Sequence, residues 1–421
     1  MKGGLGLFLG RVGGVAGALV LGQVVLGLTF VVGARSMPPT TLGLIATCAA
    51  IGQVAATVVD FGLINYLVRE TASGRVTTAH ARALTAAKRP WALAVLLVVG
   101  GGSSLLLAPD PVAGLLLTFV GAGVWEAQNA NGLLRAQERF AQASTGQILG
   151  RVGGLVVVAV LAFVGAGTIA LAAAIPASFV LEAILDRVFL GRGDGRRRGA
   201  TAEIVAAHRE SVGFGLATLA VSAQQLDTPL ATAGGGAYEG GLYAAGGRLI
   251  GPLNFLANSI GLVAGPWLAR AGTDPAALRV EERRVLRVSV ALCVAPLLLA
   301  VVGPPLIPLL LGEQYASSGT VFAVLAVGAV IVTLNQPFAV ILQNRGRPQV
   351  VAVGIAIGLG VGLVATFVFA LFGGAVWAAV GYVVSQLVIF GILGLAARRA
   401  RRDGVMAVSP PGASVEGSEA S

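Results

Sequence analysis

Long apolar runs alternate along the chain with short polar or basic breaks. The runs recur at roughly the 20 residues that a helix needs to cross a bilayer. They fall at 11–33, 41–66, 88–108, 112–130, 146–165, 168–190, 211–233, 241–267, 288–311, 318–342, 349–372 and 375–397. Twelve membrane helices are therefore predicted, with both ends of the chain on one side. The expected fold is an all-α polytopic membrane protein of two six-helix bundles, 1–190 and 211–402, joined by a linker at 191–210. The segment 403–421 has too little apolar content for a core and is expected to be a disordered tail. The first run follows Lys2 and Arg11 as a signal core would, but it exceeds the ~7–15 apolar residues of such a core and is read as a retained span.

The basic residues sort by side. One face receives Lys2, Arg11, Arg69, Arg75, Arg82, Lys88, Arg89, Arg135, Arg139, the GRGDGRRRG loop at 191–199, Arg209, the 270–287 loop, Arg345, Arg347 and the ARRARR run; the other receives Arg35 alone. Short loops rich in Lys and Arg stay cytoplasmic, so both termini are expected there, in a cytoplasmic membrane. The opposite loops hold only a few residues each and leave no room for an outer domain.

Composition agrees with this reading. Charged residues are 11% of the chain against roughly 25% in soluble domains, and hydrophobic residues are 56%. The net charge of +10 is scattered over loops and forms no phosphate-backbone stripe, so no nucleic-acid partner is expected. Cys48 and Cys293 lie far apart inside apolar runs and read as packing residues; His80 and His208 read as solvated loop residues. No metal site and no cofactor are expected. The chain has no GxxxxGK[ST], HExxH, GxSxG or CxxC motif, and the GRVGG runs at 10–14 and 150–154 lack the strand–helix setting of a dinucleotide site.

The two halves resemble each other. LGLIATCAAIG (42–52) aligns with GGLYAAGGRLIG (240–251), GLLRAQERF (132–140) with VILQNRGRP (340–348), and GAGTIALAA (165–173) with GGAVWAAVG (373–381), in one order and displaced by 198–208 residues. Halves with an even number of spans each point the same way, so they form parallel repeats about a pseudo-twofold along the membrane normal, with a site expected between them.

Polar residues inside the runs mark candidate chemistry. Asp227 and Arg248 lie about 9 and 10 Å from the outer ends of spans 7 and 8 at ~1.5 Å per residue, level with each other and able to pair. A mid-membrane charge costs about 2.5–3.5 kcal/mol on insertion scales. The pair reads as a buried bridge between helices, and also as Arg248 contacting a phosphate in a wet cavity with Asp227 orienting it or exchanging with substrate. Both readings can hold at once. Gln23, Gln53, Gln224, Asn254 and Asn258 lie near the midplane on spans 1, 2, 7 and 8 and either line one cavity or bond helices together. A second group, including Arg11, Asp60, Arg69, Glu126 and Arg151, lies near the cytoplasmic rim as snorkelling side chains or as an ion-pair gate. Pro229, Pro252 and Pro337 follow the polar positions and kink their helices.

The segments ARSMPPTTLGLIATCAAIGQ and VVDFGLINYLVRETA, the Asp227-to-Arg248 block ending in GLYAAGGRLIGPL, IPLLLGEQYASSGTVFAVLA, and ILQNRGRPQ followed by GGAVWAAVGY together resemble the polysaccharide flippase branch of the multidrug/oligosaccharidyl-lipid/polysaccharide exporter superfamily. The resemblance runs from Arg11 to Arg402. It implies two six-helix bundles about a central cavity and the alternating-access transfer of a polyprenyl-pyrophosphate-linked oligosaccharide between leaflets. Arg248 would contact the pyrophosphate, and Asp227 with the midplane amides would meet sugar hydroxyls. The implied partners are the lipid-linked glycan, membrane lipids, and the polymerase and glycosyltransferases of polysaccharide synthesis. The competing readings are a cation-coupled drug or metabolite antiporter of the same fold, using Asp227 as its ion site, a major-facilitator carrier, whose charged loop between spans 2 and 3 is missing, and a glycan polymerase or ligase, which would need a large outer loop.

Overall fold

The computed structural model describes Gly17 and residues 21–191, 201–271 and 275–402. Each of the twelve expected spans is predominantly helical where described. In chain order the helices are α1 (Leu21–Arg35), α2 (Pro39–Asp60), α3 (Leu63–Ala72), α4 (Thr78–Leu107), α5 (Pro111–Leu117), α6 (Phe119–Ala136), α7 (Phe140–Phe163), α8 (Thr168–Leu190), α9 (Thr201–Ala223), α10 (Asp227–Gly235), α11 (Ala237–Ala271), α12 (Pro275–Leu292), α13 (Val294–Leu311), α14 (Ser318–Asn344) and α15 (Pro348–Arg402). α15 comprises spans 11 and 12, separated by the non-helical pair Gly373–Gly374 at the predicted boundary. No strand occurs among the described residues. Seven stretches are long and apolar enough to cross a membrane unbroken, one of them α12 and α13 running on through Cys293. Of the other spans, the first is shorter as described, the fourth and seventh are interrupted, and the eighth is the continuous 35-residue α11.

The protein is a multi-pass membrane protein. Phe163, Phe372 and Leu106 keep 84–92% of their surface exposed, which suits lipid and not water. α2, α6 and α8 form the centre of the first bundle, flanked by α4, α5 and α7; α11, α14 and α15 form the centre of the second, flanked by α10, α12 and α13.

The interruptions have causes in the sequence. Proline 229 has no N–H for the carbonyl of Gln225, and its ring crowds that turn, so span 7 breaks into α9, a 3-10 turn at Gln224–Leu226, and α10. Span 2 breaks at Phe61–Gly62, both with positive φ (47° and 74°), and α3 leaves at an angle. Gly62 has to be glycine, because a Cβ there would strike the backbone of Phe214 and Gly215 on α9.

The halves touch at both faces. On the face without basic loops, Gly43 of α2 packs directly on the backbone of Ala237 and Gly241, and Thr47 Oγ1 meets Thr232 Oγ1 at 2.8 Å. Arg35 donates to the carbonyls of Leu309 and Leu310 at 2.5 and 2.7 Å, and Gln314 and Tyr315 donate to the Met37 carbonyl at 2.9 and 3.0 Å. On the basic face the joint lies between α9 and the α2–α3–α4 corner. Asn65 Nδ2 donates to Thr218 Oγ1 at 3.1 Å, Ser211 Oγ donates to the Phe61 carbonyl at 3.2 Å, and Tyr66 donates to Glu210.

Candidate functional site

The broken span puts Asp227 at the first turn of α10, eight residues before its end at Gly235, or about 12 Å deep at ~1.5 Å per residue. α11 begins at Ala237, four residues before the predicted start. Arg248 is therefore eleven residues along it, about 16 Å deep. The expected level pair is thus offset by about one helical turn, and no ion pair within 4 Å joins the two. Asp227 instead accepts hydrogen bonds from Tyr243 Oη at 3.0 Å and from its neighbour Thr228, through N at 2.6 Å and Oγ1 at 3.3 Å. Arg248 lies over the Phe30 ring of α1, 4.5 Å from the centroid, a cation–π contact. Its field still reaches Asp227. The buried-bridge reading of the pair does not hold; it is a polar neighbourhood of two separate supports.

α1 lines α11 along one face, with Gln23, Gly27 and Phe30 at helical spacing. The Gln23 side chain lies beside Gly251, and Gly27 faces the Arg248 carbonyl, whose helical donor is missing because residue 252 is proline. Asn254, two residues on, receives the Tyr382 hydroxyl at 3.4 Å, and the same phenol approaches Gln224 and feels Asp227. One helical turn further along α15, Gln386 accepts from Asn335 Nδ2 of α14 through its backbone carbonyl at 3.2 Å and its side-chain oxygen at 3.3 Å. Gln23, Gln224, Asp227, Arg248 and Asn254 are all half-buried. Gln53 is half-buried and back-bonds its amide to the Ala49 carbonyl of its own helix at 3.3 Å, so it contributes no bond to this group. The side chain of Asn258 lies outside the described residues.

The rim group separates into three. Arg151 was expected near the cytoplasmic rim, but α7 starts at Phe140 and not at 146, which places Arg151 eleven residues in, about 16 Å from the basic face. There its guanidinium lies 4.1 Å from the Phe179 centroid, donates to Ser178 Oγ at 3.1 Å and sits 3.5 Å from Glu182. Its charge is felt at Arg248. Two guanidiniums, one from each bundle and each backed by a phenylalanine, therefore approach the same central depth. Glu182 balances Arg151; Arg248 has no carboxylate within 4 Å among the described residues. Glu126 is held within the first bundle, 2.5 Å from Arg89 and also bound by Arg187. Asp60 and Arg69 belong to the joint with α9: Arg69 binds Glu70 at 2.7 Å and stacks 4.9 Å over Phe214, while buried Asp60 gives its carbonyl to Lys88 at 2.9 Å. Arg11 lies outside the described residues.

Two sequence readings are corrected at that joint. Lys88 was placed in a basic loop and His208 in a solvated one. Both are helical; Lys88 is fully buried, and its Nζ lies 2.9 Å from His208 Nε2.

The polysaccharide biosynthesis protein family model matches residues 32–320, which includes α2, α10 and α11 together with Arg151 and Arg248. The chain belongs to that family. No curated protein matches it in sequence. Among solved structures, this family member is similar in fold to the lipid II flippase MurJ in an inward closed conformation, with TM-score 0.73 at 9% identity over 93% of this chain and 89% of that one. It is also similar to a multidrug resistance MATE family transporter of the MOP superfamily, inward-facing with TM-score 0.62 at 14% identity over 91% and 95%. The outward-facing form gives 0.58 at 15% over 94% and 96%. The two six-helix bundles are thus those of the MATE and MurJ fold, as expected.

Sequence reading of this family member missed the two tyrosines that complete the site. Tyr243 and Tyr382 scored as apolar span residues, although a buried tyrosine hydroxyl normally has a partner, and Tyr243 stands sixteen residues after the only carboxylate of its span pair.

Proposed function

We propose that this protein flips a polyprenyl-pyrophosphate-linked oligosaccharide across the cytoplasmic membrane by alternating access, with both termini cytoplasmic. One observation carries the reading: Arg248 is a mid-membrane guanidinium without a carboxylate partner within 4 Å among the described residues, held by Phe30 and facing the charge of Arg151. Holding such a cation costs about 2.5–3.5 kcal/mol on insertion scales, which an anionic ligand would offset. A pyrophosphate is such a ligand, and planar guanidiniums match its oxygens with paired hydrogen bonds. Gln23, Gln224 and Asn254, with the phenols of Tyr243 and Tyr382, offer the donors and acceptors that sugar hydroxyls require. The family membership supports a glycan as the cargo. About two negative charges leaving a negative-inside cell gain roughly 4–5 kcal/mol at 100 mV, so the membrane potential supplies much of the direction. The polymerase and glycosyltransferases of the same synthesis are the expected partners.

The test is transfer of a fluorescent polyprenyl-pyrophosphate oligosaccharide in proteoliposomes. Wild type moves it between leaflets, and Arg248→Ala does not; transfer undiminished in Arg248→Ala, or unaffected by collapsing the potential, counts against the reading. The runner-up, a cation-coupled antiporter, is favoured by Asp227 being bound by a phenol and not by Arg248, which leaves its carboxylate open to an ion. Export of an organic cation that depends on Asp227 but not on Arg248 would select it.

A further inference from the structure

The joint on the basic face contains a titratable cluster that cargo binding does not use: Lys88 and Asp60 are buried and His208 is half-buried. His208 Nδ1 lies 2.9 Å from the Ile204 carbonyl, which can only accept, so Nδ1 carries the ring proton. In the neutral ring Nε2 is then an acceptor, and it faces Lys88 Nζ at 2.9 Å. The Lys88 ammonium donates there and to the Asp60 carbonyl at 2.9 Å. Lys88 comes from α4, Asp60 from α2 and His208 from α9, so this single ammonium ties the second bundle's first helix to the first bundle. Beside it, Asp60 Oδ1 and Asn129 Oδ1 are buried and have no donor.

We infer that Asp60, Lys88 and His208 form a proton-binding site, and that a proton taken up at His208 Nε2 unlatches α9 from the α2–α3–α4 corner. The inference rests on the alternating-access reading, for which this joint is one of the two closures. The bond changes are few. A proton from water adds to Nε2 and makes a second N–H on the ring. Two cationic donors then face each other at 2.9 Å, where one had accepted from the other. Lys88 keeps its three protons and turns to the orphan Asp60 Oδ1, while the imidazolium moves away with α9 toward water. Loss of that proton restores the acceptor and the latch.

Other charges around His208 do not substitute for this pair. α3 directs Tyr66 to Glu210 and Arg69 to Phe214, α6 contributes the uncharged Asn129, Arg209 and Glu210 on α9 are exposed, and α15 carries no charged residue from Pro348 to Ala397. Burial and the neighbouring Lys88 hold the closed-state imidazole below its ordinary value of about 6.5. The open form therefore binds the proton more tightly. Above about pH 6.5 the imidazole is neutral in both forms and adds no pH dependence of its own; below it, the open fraction grows by up to about tenfold per pH unit until the closed form also titrates.

The experiment is electron–electron distance measurement between spin labels at Ala79→Cys on α4 and Val205→Cys on α9, in full-length protein lacking Cys48 and Cys293, reconstituted in liposomes at pH 8 and pH 5. The wild-type pair is expected to be short at pH 8 and to gain a longer population at pH 5. His208→Gln, which keeps an acceptor but does not titrate, is expected to stay short at both. His208→Lys is expected to be long at both. A wild type without a pH response, or a His208→Gln protein that retains it, overturns the inference, and these two suffice should His208→Lys not fold. The labels need no cargo. A missing pH response with lipid-linked transfer intact removes the latch alone, whereas a full pH response without transfer removes the cargo reading alone.

Discussion

Tyr243 holds the Asp227 carboxylate from the neighbouring helix at 3.0 Å, while Arg248, five residues further along that same helix, turns away to stack on Phe30. Acid and base in one hairpin are thus kept apart by a phenol that satisfies the acid and a ring that shelters the base. Each remains available to a ligand, which a direct bridge would have prevented.

The phenol is the first thing to remove. Tyr243→Phe deletes one hydrogen bond to a buried carboxyl, worth about 0.5–1.5 kcal/mol for a neutral acid and 1.5–3 for a charged one. The expected result is a lower unfolding midpoint in detergent. In a double-mutant cycle with Asp227→Asn the coupling energy should fall in the same range, and additive effects would show that the two do not act together.

Replacing Arg248 separates charge from shape. Arg248→Lys keeps the charge but gives up the planar stack on Phe30 and paired bonding to phosphate oxygens, so partial transfer is expected where Arg248→Ala shows none. Phe30→Leu should resemble Arg248→Lys in the same proteoliposome assay. Equal and complete loss in Arg248→Lys and Arg248→Ala, with both folded, would make the guanidinium a structural element only.

Gly43 and Gly241 bring the backbones of α2 and α11 together on the face without basic loops. Gly43→Ala places a methyl against the Ala237 carbonyl and the Gly241 amide, where nothing flexible can yield. That face should open. Labelling of Thr47→Cys, in protein lacking Cys48 and Cys293, by an impermeant maleimide is expected to speed up in Gly43→Ala and to stay slow with Gly43 intact.

On the basic face, Arg345 fastens α12 to α15: Nη2 lies 2.6 Å from Glu282 Oε1 and Nη1 donates to the Ala400 carbonyl at 3.0 Å, with both side chains almost fully enclosed. Removing one partner of such a pair costs about 3–5 kcal/mol, because the other charge stays buried. Glu282→Ala should therefore lower the unfolding midpoint strongly, and Glu282→Leu with Arg345→Met should recover much of the loss.

The loop after α3 supplies a second pH test of the same sign as that of His208, in a more acidic window. Hydrogen bonds from Arg75, then Arg69, hold the Glu70 carboxyl below its ordinary value. A carboxyl lowered in the folded state contributes stability above its ordinary titration near 4.5, and that contribution is lost as pH falls through the lower folded value. Arg75→Ala should move the acid-induced opening of this loop to higher pH, as read by amide exchange of residues 73–77.

Much of this was readable before any coordinates. The twelve runs, the break between spans 11 and 12 at Gly373–Gly374, and the concentration of costly polar groups on spans 7 and 8 follow from hydropathy and from the rarity of charge in oil. Proline 229 announced a disruption, but whether it would kink or sever the helix depends on packing. Helix starts carried the largest error, since polar first turns such as Phe140–Thr145 and Ala237–Gly240 do not register as apolar; this alone hid the depth of Arg151. The Lys88–His208 contact spans 120 residues and two bundles, and nothing local to either residue signals it.

Arg35 is the one basic side chain that the twelve-span topology leaves on its face, and its Nε and Nη2 donate to the carbonyls that end α13. For the proposed anionic cargo, that face offers this one guanidinium against the many cations of the basic face. If the cargo leaves there, the doorway would be electrostatically slippery, so departure from it should be quick and capture from it poor.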